Sequence, residues 1–190
     1  ERMDVHTLRE AVAATADPDL SHLIGEYVPL TFSRRHGDPS RPWNAFDIVL
    51  ADETGAPRLA HQGNWRDIFQ NWEALAWSFP AFTASFVRIF LNATTIDGYN
   101  PYRISRSGVD WEVPEPENPW ANIGYWSDHQ IGYLARLLEL LREQDPEQLR
   151  ALGADTAYVH VDVPYRLASY ADLVRDPHNT VTFEEERHDQ

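Results

Sequence analysis

The strongest constraint on the fold is a helical spacing of apolar residues in the stretch before a proline. These residues recur every three to four positions, at Ile68, Trp72, Leu75 and Phe79. The spacing places them on one buried helical face. Asp67 and Gln70 have the separation of a capping box that would begin the helix. Pro80 ends or kinks it, because proline lacks an amide hydrogen, and a second helix is predicted over residues 81–92.

Another long helix is predicted over residues 127–142. Ser127 and Gln130 again have capping-box spacing. The apolar residues that follow recur at helical spacing, at Ile131, Leu134, Leu137, Leu138 and Leu141. A helix with this pattern buries one face against the rest of the molecule.

Shorter helices are marked by their end signals. Residues 7–16 are predicted to be helical, and Asp17-Pro18 then supplies an N-cap followed by proline at the first helical position. Asp145-Pro146 begins another short helix in the same way, with Gly153 as its stop.

Strand patterns are few. Residues 46–51 and 57–61 flank a polar turn and are predicted to form a hairpin. Residues 158–163 alternate as in a strand, and the charged tail from residue 184 is expected to fray. The chain is therefore predicted to be mainly α, with helix pairs joined by long loops, as in a helical toroid whose loops at one end build the site.

The length is that of one domain, or of a good part of a larger one. The whole chain, residues 1–190, is predicted to be a single segment in three parts. These parts are residues 1–62 (N-terminal helices and hairpin), 63–143 (helix pairs and the site loop) and 144–190 (short helix, strand and tail).

Charge and composition exclude several classes of function. A formal net charge of −14 argues against binding to nucleic acid and to anionic membranes, and no apolar run is long enough to span a bilayer. The chain has no Lys, which excludes a lysine nucleophile, and no Cys, which excludes disulfides, thiolate catalysis and Cys-ligated zinc. A cysteine-free chain suits the cytoplasm, which is the predicted location.

Residues 97–133 carry the clearest functional signal. Tyrosine and tryptophan alternate there with carboxylate, amide and guanidinium side chains. Flat apolar faces beside planar hydrogen-bonding groups suit a sugar, because the rings stack on its C–H faces while the polar groups take its hydroxyls. Most of the stretch lacks periodicity, so it is predicted to be a long functional loop.

Three groups of residues are candidates for chemistry. Arg66 and Asp67, with Gln70, would clamp sugar hydroxyls, unless Asp67 is only an N-cap and Arg66 a surface charge. Trp126, Asp128 and His129 lie at a predicted helix start, where the dipole favours bound anions; the alternative is a capped helix with a surface histidine.

The third candidate is Trp111, a stacking platform between Asp110 and Glu112 that could have an acid or base beside it. The alternative is a solvated acidic loop, which is preferred for Glu115 and Glu117 because of the prolines between them. No metal-binding spacing is present, so no metal site is predicted.

Four long motifs carry a family resemblance, and long motifs are much more specific than short patterns. They are RDIFQNWEALAWSFP (66–80), DGYNPYRISRSGVDWEVPEPENPW (97–120), IGYWSDHQIGYLARLLE (123–139) and VDVPYRLASYADLVRDPHNT (161–180). The chain resembles large bacterial proteins related to cellobiose phosphorylase and to other glycoside phosphorylases and hydrolases. The resemblance implies a helix-hairpin segment of an (α/α)6 toroid.

The resemblance also implies roles for particular residues. In sugar phosphorylases of this type, an Arg-Asp followed by Gln holds the sugar in the donor subsite, which carries over to Arg66, Asp67 and Gln70 here. Their general acid lies in a Trp-Asn-Asp motif, which this chain lacks, since Trp43-Asn44 is followed by alanine. The catalytic acid is therefore unassigned.

The sequence thus predicts part of a carbohydrate-active enzyme, a glycoside hydrolase or phosphorylase. Its sugar-binding residues would be Arg66, Asp67, Gln70, Trp111, Trp126, Asp128 and His129. The alternatives are a non-catalytic carbohydrate-binding or assembly module, or a purely structural aromatic loop. The expected partners are an oligosaccharide or glycoside and the remainder of the same polypeptide. No cofactor is expected, although phosphorolysis would use inorganic phosphate as a co-substrate.

Overall fold

The computed structural model describes residues 3–28, 52–56, 62–105, 108–111, 117, 130–156, 158–177 and 181–188. Across these residues the chain is mainly helical with two small antiparallel sheets, which confirms the predicted mainly α class. None of the helices in these ranges combines the length and hydrophobicity that a bilayer crossing requires. The division of the chain into three parts stays a prediction.

Helices and short strands are interspersed along the described residues. The helices are α1 (Val5–Thr15), α2 (Pro18–Gly25), α3 (Trp65–Ser78), α4 (Thr83–Asn92), α5 (Ile131–Gln144), α6 (Pro146–Ala154), α7 (Tyr170–Arg175) and α8 (Glu185–His188). A 3-10 turn, Pro80–Phe82, joins α3 to α4. The strands are β1 (Gln62–Asn64), β2 (Arg103–Ser105), β3 (Gly108–Asp110), β4 (Tyr165–Leu167) and β5 (Val181–Phe183).

Side-chain caps set the starts of the N-terminal helices. The Asp17 carboxylate accepts the first amides of α2, and Pro18 is the first helical residue, as predicted. Helix α1 begins before the predicted position because Asp4 caps it, accepting the amides of His6 and Thr7 at 2.9 and 3.0 Å. Hydrogen bonds, led by that of the Thr7 hydroxyl, hold the pKa of Asp4 below its usual value.

Helices α3 and α4 form the predicted pair on either side of Pro80. Their facing side chains build an aromatic cluster that is closed to solvent, made of Trp65, Phe69, Trp72, Phe86 and Phe90. The rings of Trp72 and Phe86 stack with centroids 4.8 Å apart. Tilted and edge-to-face contacts join the other rings. Such contacts add to the stabilisation that burial of the rings provides.

Helix α5 is the central helix and packs against α3, α4 and α6. The buried positions Leu134, Leu137 and Leu141 are as predicted. The prediction for Ile131 is wrong, since it is 63% exposed, whereas Leu140 is completely buried. The 3–4 spacing does not predict that Leu140 is buried and Ile131 exposed, because burial on α5 depends on neighbours on more than one side of the helix.

Polar side chains tie α5 to the α3–α4 pair. The Arg136 guanidinium contacts the Glu73 carboxylate at 2.9 Å. The Gln144 amide donates to the Ala76 carbonyl at 3.0 Å and accepts from the Thr83 hydroxyl at 2.9 Å.

Helix α6 then begins at the predicted Asp145-Pro146 cap and continues through Ala154, so the predicted stop at Gly153 is wrong by one residue.

The Asn92 side chain at the end of α4 connects three distant segments. Its Nδ2 donates to the Glu26 carboxylate at 2.5 Å. Its Oδ1 accepts the amide of Val159 at 3.1 Å. Asn92 is buried, so both atoms need these partners.

The three-stranded sheet has the order β1-β2-β3, and both pairs are antiparallel. The prediction of an irregular loop is therefore wrong for Arg103–Ser105 and Gly108–Asp110. These strands are three residues long and mostly polar, so they give no strand periodicity. Backbone pairing stabilises them: β2 pairs with β1, which is far away in the sequence, and β3 pairs with β2.

The other sheet is a β4–β5 hairpin. The strand predicted over residues 158–163 is wrong: this segment makes only an isolated bridge, between Val161 and Thr95. The predicted fraying is wrong for Glu185–His188, which forms α8.

Only the turn of the predicted N-terminal hairpin is described, and there the Asp52 carboxylate accepts the amides of Thr54 and Ala56. The two predicted flanking strands lie outside the described residues.

Candidate functional site

The three-stranded sheet brings two of the predicted groups to one end of the sheet. Strand β1 runs directly into α3, so Arg66 and Asp67 follow the end of β1. The amide of Trp65 donates to the Tyr102 carbonyl at 3.0 Å, and the amide of Tyr102 donates to the Asp110 carbonyl at 3.0 Å. The backbone of Tyr102 therefore connects the start of α3 to the end of β3, which Trp111 follows.

Trp65 fixes this start of α3. It is completely buried, and its ring centroid lies 4.6 Å from that of Phe69 and 5.5 Å from that of Phe90. A residue held by both the sheet and the aromatic cluster positions the next residues of the helix.

Asp67 is the third residue of α3, not its cap. Asn64 occupies the N-cap position, so the capping box and the N-cap alternative for Asp67 are both wrong. The reason is that pairing of β1 with β2, and not a side-chain cap, sets where the helix begins. Amides in the first helical turn favour a carboxylate there.

The burial of Asp67 determines how it can act. It is 0% exposed, and its Oδ1 lies 3.9 Å from Nε of the half-buried Arg66. A carboxylate closed to solvent cannot touch a ligand directly in this arrangement. It can orient the Arg66 guanidinium, which retains a solvent-exposed part.

Asn71 lies one turn after Asp67 and is half-buried. Within the described part of the chain, its Nδ2 is shielded from solvent and has no hydrogen-bond partner. Leaving a buried donor unsatisfied costs about 1–3 kcal/mol. Because this Nδ2 is closed to solvent, it cannot touch a ligand directly in this arrangement. Gln70, by contrast, is exposed.

Trp111 lies against a small aromatic group. Its ring centroid is 5.8 Å from that of Tyr165, which in turn lies 6.0 Å from Tyr99 and 5.5 Å from Phe183. Tyr165 is buried, while Trp111 is half-buried. The supported ring of Trp111 therefore keeps some contact with solvent.

The carboxylate beside Trp111 is solvated. Asp110 is exposed, and its Oδ2 lies 3.7 Å from Nε of Arg103. Glu117 is exposed as predicted, whereas Glu112 and Glu115 lie outside the described residues. The oxygens of this exposed carboxyl group can accept hydrogen bonds from a ligand.

The remaining predicted site residues cannot be placed. Trp126, Asp128 and His129, with Ser127, lie outside the described residues. Gln130 is described and buried at the N-cap position of α5, with no side-chain cap bond, so its predicted role as the third helical residue of a capping box is wrong. Within the described ranges, no cluster of His, Cys, Asp and Glu side chains could hold a metal ion.

One contributor, Tyr165, was overlooked in the sequence. Tyr165 supports Trp111 from more than fifty residues further along the chain, and no short-range signal pairs them. The sequence left Asn71, like Gln70, ambiguous between a sugar contact and an ordinary surface residue. Asn71 lies four residues after Asp67, and residues with this separation share a helical face.

Comparison with protein-family models and with curated proteins produced no match to this chain.

Proposed function

We propose that this chain is a segment of an (α/α)6 toroid in a carbohydrate-active enzyme that acts on glycosidic bonds. The observation that carries the proposal is the sheet register, which places the start of α3 beside the end of β3. The residues that carry a guanidinium, Arg66, and an indole, Trp111, are distant in sequence but thereby follow the same end of the sheet.

Each group has a role in sugar binding. Arg66 donates hydrogen bonds to hydroxyls, and Asp67 acts as a positioning residue that orients Arg66 from within the helix. Trp111, supported by Tyr165, supplies the face on which a sugar ring stacks. Trp126, Asp128, His129 and Gln70 remain proposed contacts on the strength of the sequence.

Calorimetric titration with cellobiose and a panel of longer oligosaccharides tests the site. In the polypeptide that contains this chain, Trp111→Ala and Arg66→Gln should each weaken binding by about tenfold, because a stacked ring or a charged donor contributes on the order of 1–2 kcal/mol. Trp77→Ala is the matched control, since Trp77 is exposed near the opposite end of the same helix.

Equal affinities for Trp111→Ala, Arg66→Gln and the Trp77→Ala control would reject the site. If no sugar binds at all, the structural interpretation of the aromatic residues replaces the proposal.

The second candidate is a non-catalytic carbohydrate-binding module. It is favoured by the burial of Asp67, which leaves that carboxylate unable to touch a glycosidic oxygen, and by the lack of a Trp-Asn-Asp motif in the sequence. Product analysis after incubation of the whole polypeptide with a bound oligosaccharide distinguishes the two. Binding without cleavage, with and without inorganic phosphate, supports the module. Cleavage supports the enzyme, and its dependence on phosphate separates phosphorolysis from hydrolysis.

A further inference from the structure

A cavity of about 330 Å³ lies among α1, α2, α4 and α6. These helices carry none of the residues proposed to bind sugar. Cavities that hold small molecules have volumes of roughly 300–1,000 Å³ and combine apolar walls with a few polar groups. This cavity has both kinds of lining.

Arg9 supplies a guanidinium that is only partly used. Its Nη2 donates to the Ala81 carbonyl at 3.3 Å, and the group lies over the Phe82 ring at 5.9 Å. Among the residues that the structure describes, no carboxylate lies within ion-pair distance of Arg9. A guanidinium has five N–H donors, so most of them are available to a ligand.

Arg88 supplies a second guanidinium that is held in place. It pairs with Asp155 and lies over the Tyr158 ring at 5.6 Å. A Cβ added at Gly25 would lie only 3.1 Å from Cδ of Arg88, so the absence of a side chain at Gly25 makes room for Arg88. An arginine restrained from several sides loses little conformational entropy when it binds an anion.

The charges and the walls define the ligand. Arg9 and Arg88 together carry two positive charges and Asp155 one negative charge, which leaves one positive charge in a chain of net charge −14. The apolar wall is formed by Ile24, Ala84 and Leu152. One negative charge and an apolar part are therefore complementary to this cavity.

We propose that the cavity binds a small monocarboxylate with a short apolar tail. The carboxylate lies between Arg9 and Arg88, because planar guanidinium groups match carboxylate geometry. The tail contacts Ile24 and Leu152. A second polar donor comes from Gln148, which also lines the cavity.

Calorimetric titration of the intact protein with sodium valerate is the direct test, with acetate, 1-pentanol and inorganic phosphate as comparisons. Valerate should bind, acetate should bind more weakly because it lacks the tail, and 1-pentanol should not bind because it lacks the charge. Binding of phosphate in preference to valerate, or no binding of valerate, would overturn the proposal.

Two variants and a control locate the binding. Arg9→Gln should weaken valerate binding by about tenfold or more, because it removes a charge-assisted hydrogen bond to the carboxylate. Ala151→Leu, at an exposed position of the lining, should block the cavity. Arg150→Gln removes a neighbouring exposed arginine that is paired with Glu147 and should leave binding unchanged.

Circular dichroism confirms that each variant is folded. Wild-type affinity in the folded Arg9→Gln and Ala151→Leu variants, or equal losses in Arg150→Gln, would show that valerate binds elsewhere.

Discussion

Two leucine-sized side chains on α5 should respond very differently to truncation. Leu140 is 0% exposed and lies in the core, whereas Ile131 in the first turn is 63% exposed. Truncating a buried leucine removes its transfer free energy and leaves a cavity, which together cost about 2–5 kcal/mol. Truncating an exposed residue usually changes stability by no more than about 0.5 kcal/mol. We therefore expect Leu140→Ala to destabilise the protein and Ile131→Ala to have little effect.

Urea unfolding followed by circular dichroism measures the difference. With a denaturant slope of about 2 kcal/mol per molar urea, Leu140→Ala should lower the midpoint by about 1–2.5 M, and Ile131→Ala by about 0.25 M or less. Both variants replace a four-carbon apolar side chain with a methyl group in the same helix, so each controls for the other. Equal shifts, or a larger shift for Ile131→Ala, would mean that a different face of α5 is buried.

Two further predictions concern the segments around α4. Asn92→Ala removes the partner of both Glu26 and Val159 and should lower the free energy of unfolding, measured in urea, by about 1–3 kcal/mol. Asn71→Ala should lower it less, because the Asn71 Nδ2 has no partner among the described residues. A larger loss of stability for Asn71→Ala would contradict these hydrogen-bond assignments. Partial burial raises the pKa of Tyr158 above its ordinary value of 10.0, with Arg88 opposing the shift. The phenol of the unfolded chain therefore loses its proton at a lower pH than that of the folded chain. As pH rises above 10, the free energy of unfolding should fall more steeply for wild type than for Tyr158→Phe. Parallel plots of this free energy against pH for the two proteins would contradict the prediction.

The helices were predictable because their signals are local. Asp17-Pro18, Pro80 and Asp145-Pro146 act within one or two turns, and the structure places helix boundaries at all three. The 3–4 spacing also identified most of the buried face of α5. Leu140 was missed because its burial depends on neighbours from other helices, which a single-face pattern does not contain.

The sheet and the site depend on contacts across long separations. Strand β2 pairs with β1, about forty residues earlier, and also with β3. Strands of three residues are too short to show alternation. Because β1 pairs with β2, α3 begins at Trp65 and not at the predicted cap Asp67, and Asp67 is a buried residue within the helix. The residue types of the site were therefore predictable, but the burial of Asp67 and the support of Trp111 by Tyr165 were not.

The Asn92 side chain also has a consequence for the kinetics of folding. Its two hydrogen bonds join residues that are 66 and 67 positions away on opposite sides in the sequence. Closing loops of this length costs chain entropy before any contact is gained, and such non-local contacts slow folding. Both sides of the Asn92 amide are satisfied only after α2 and the segment beyond α6 have reached α4. The N-terminal and C-terminal segments are therefore expected to join this part of the core late in folding.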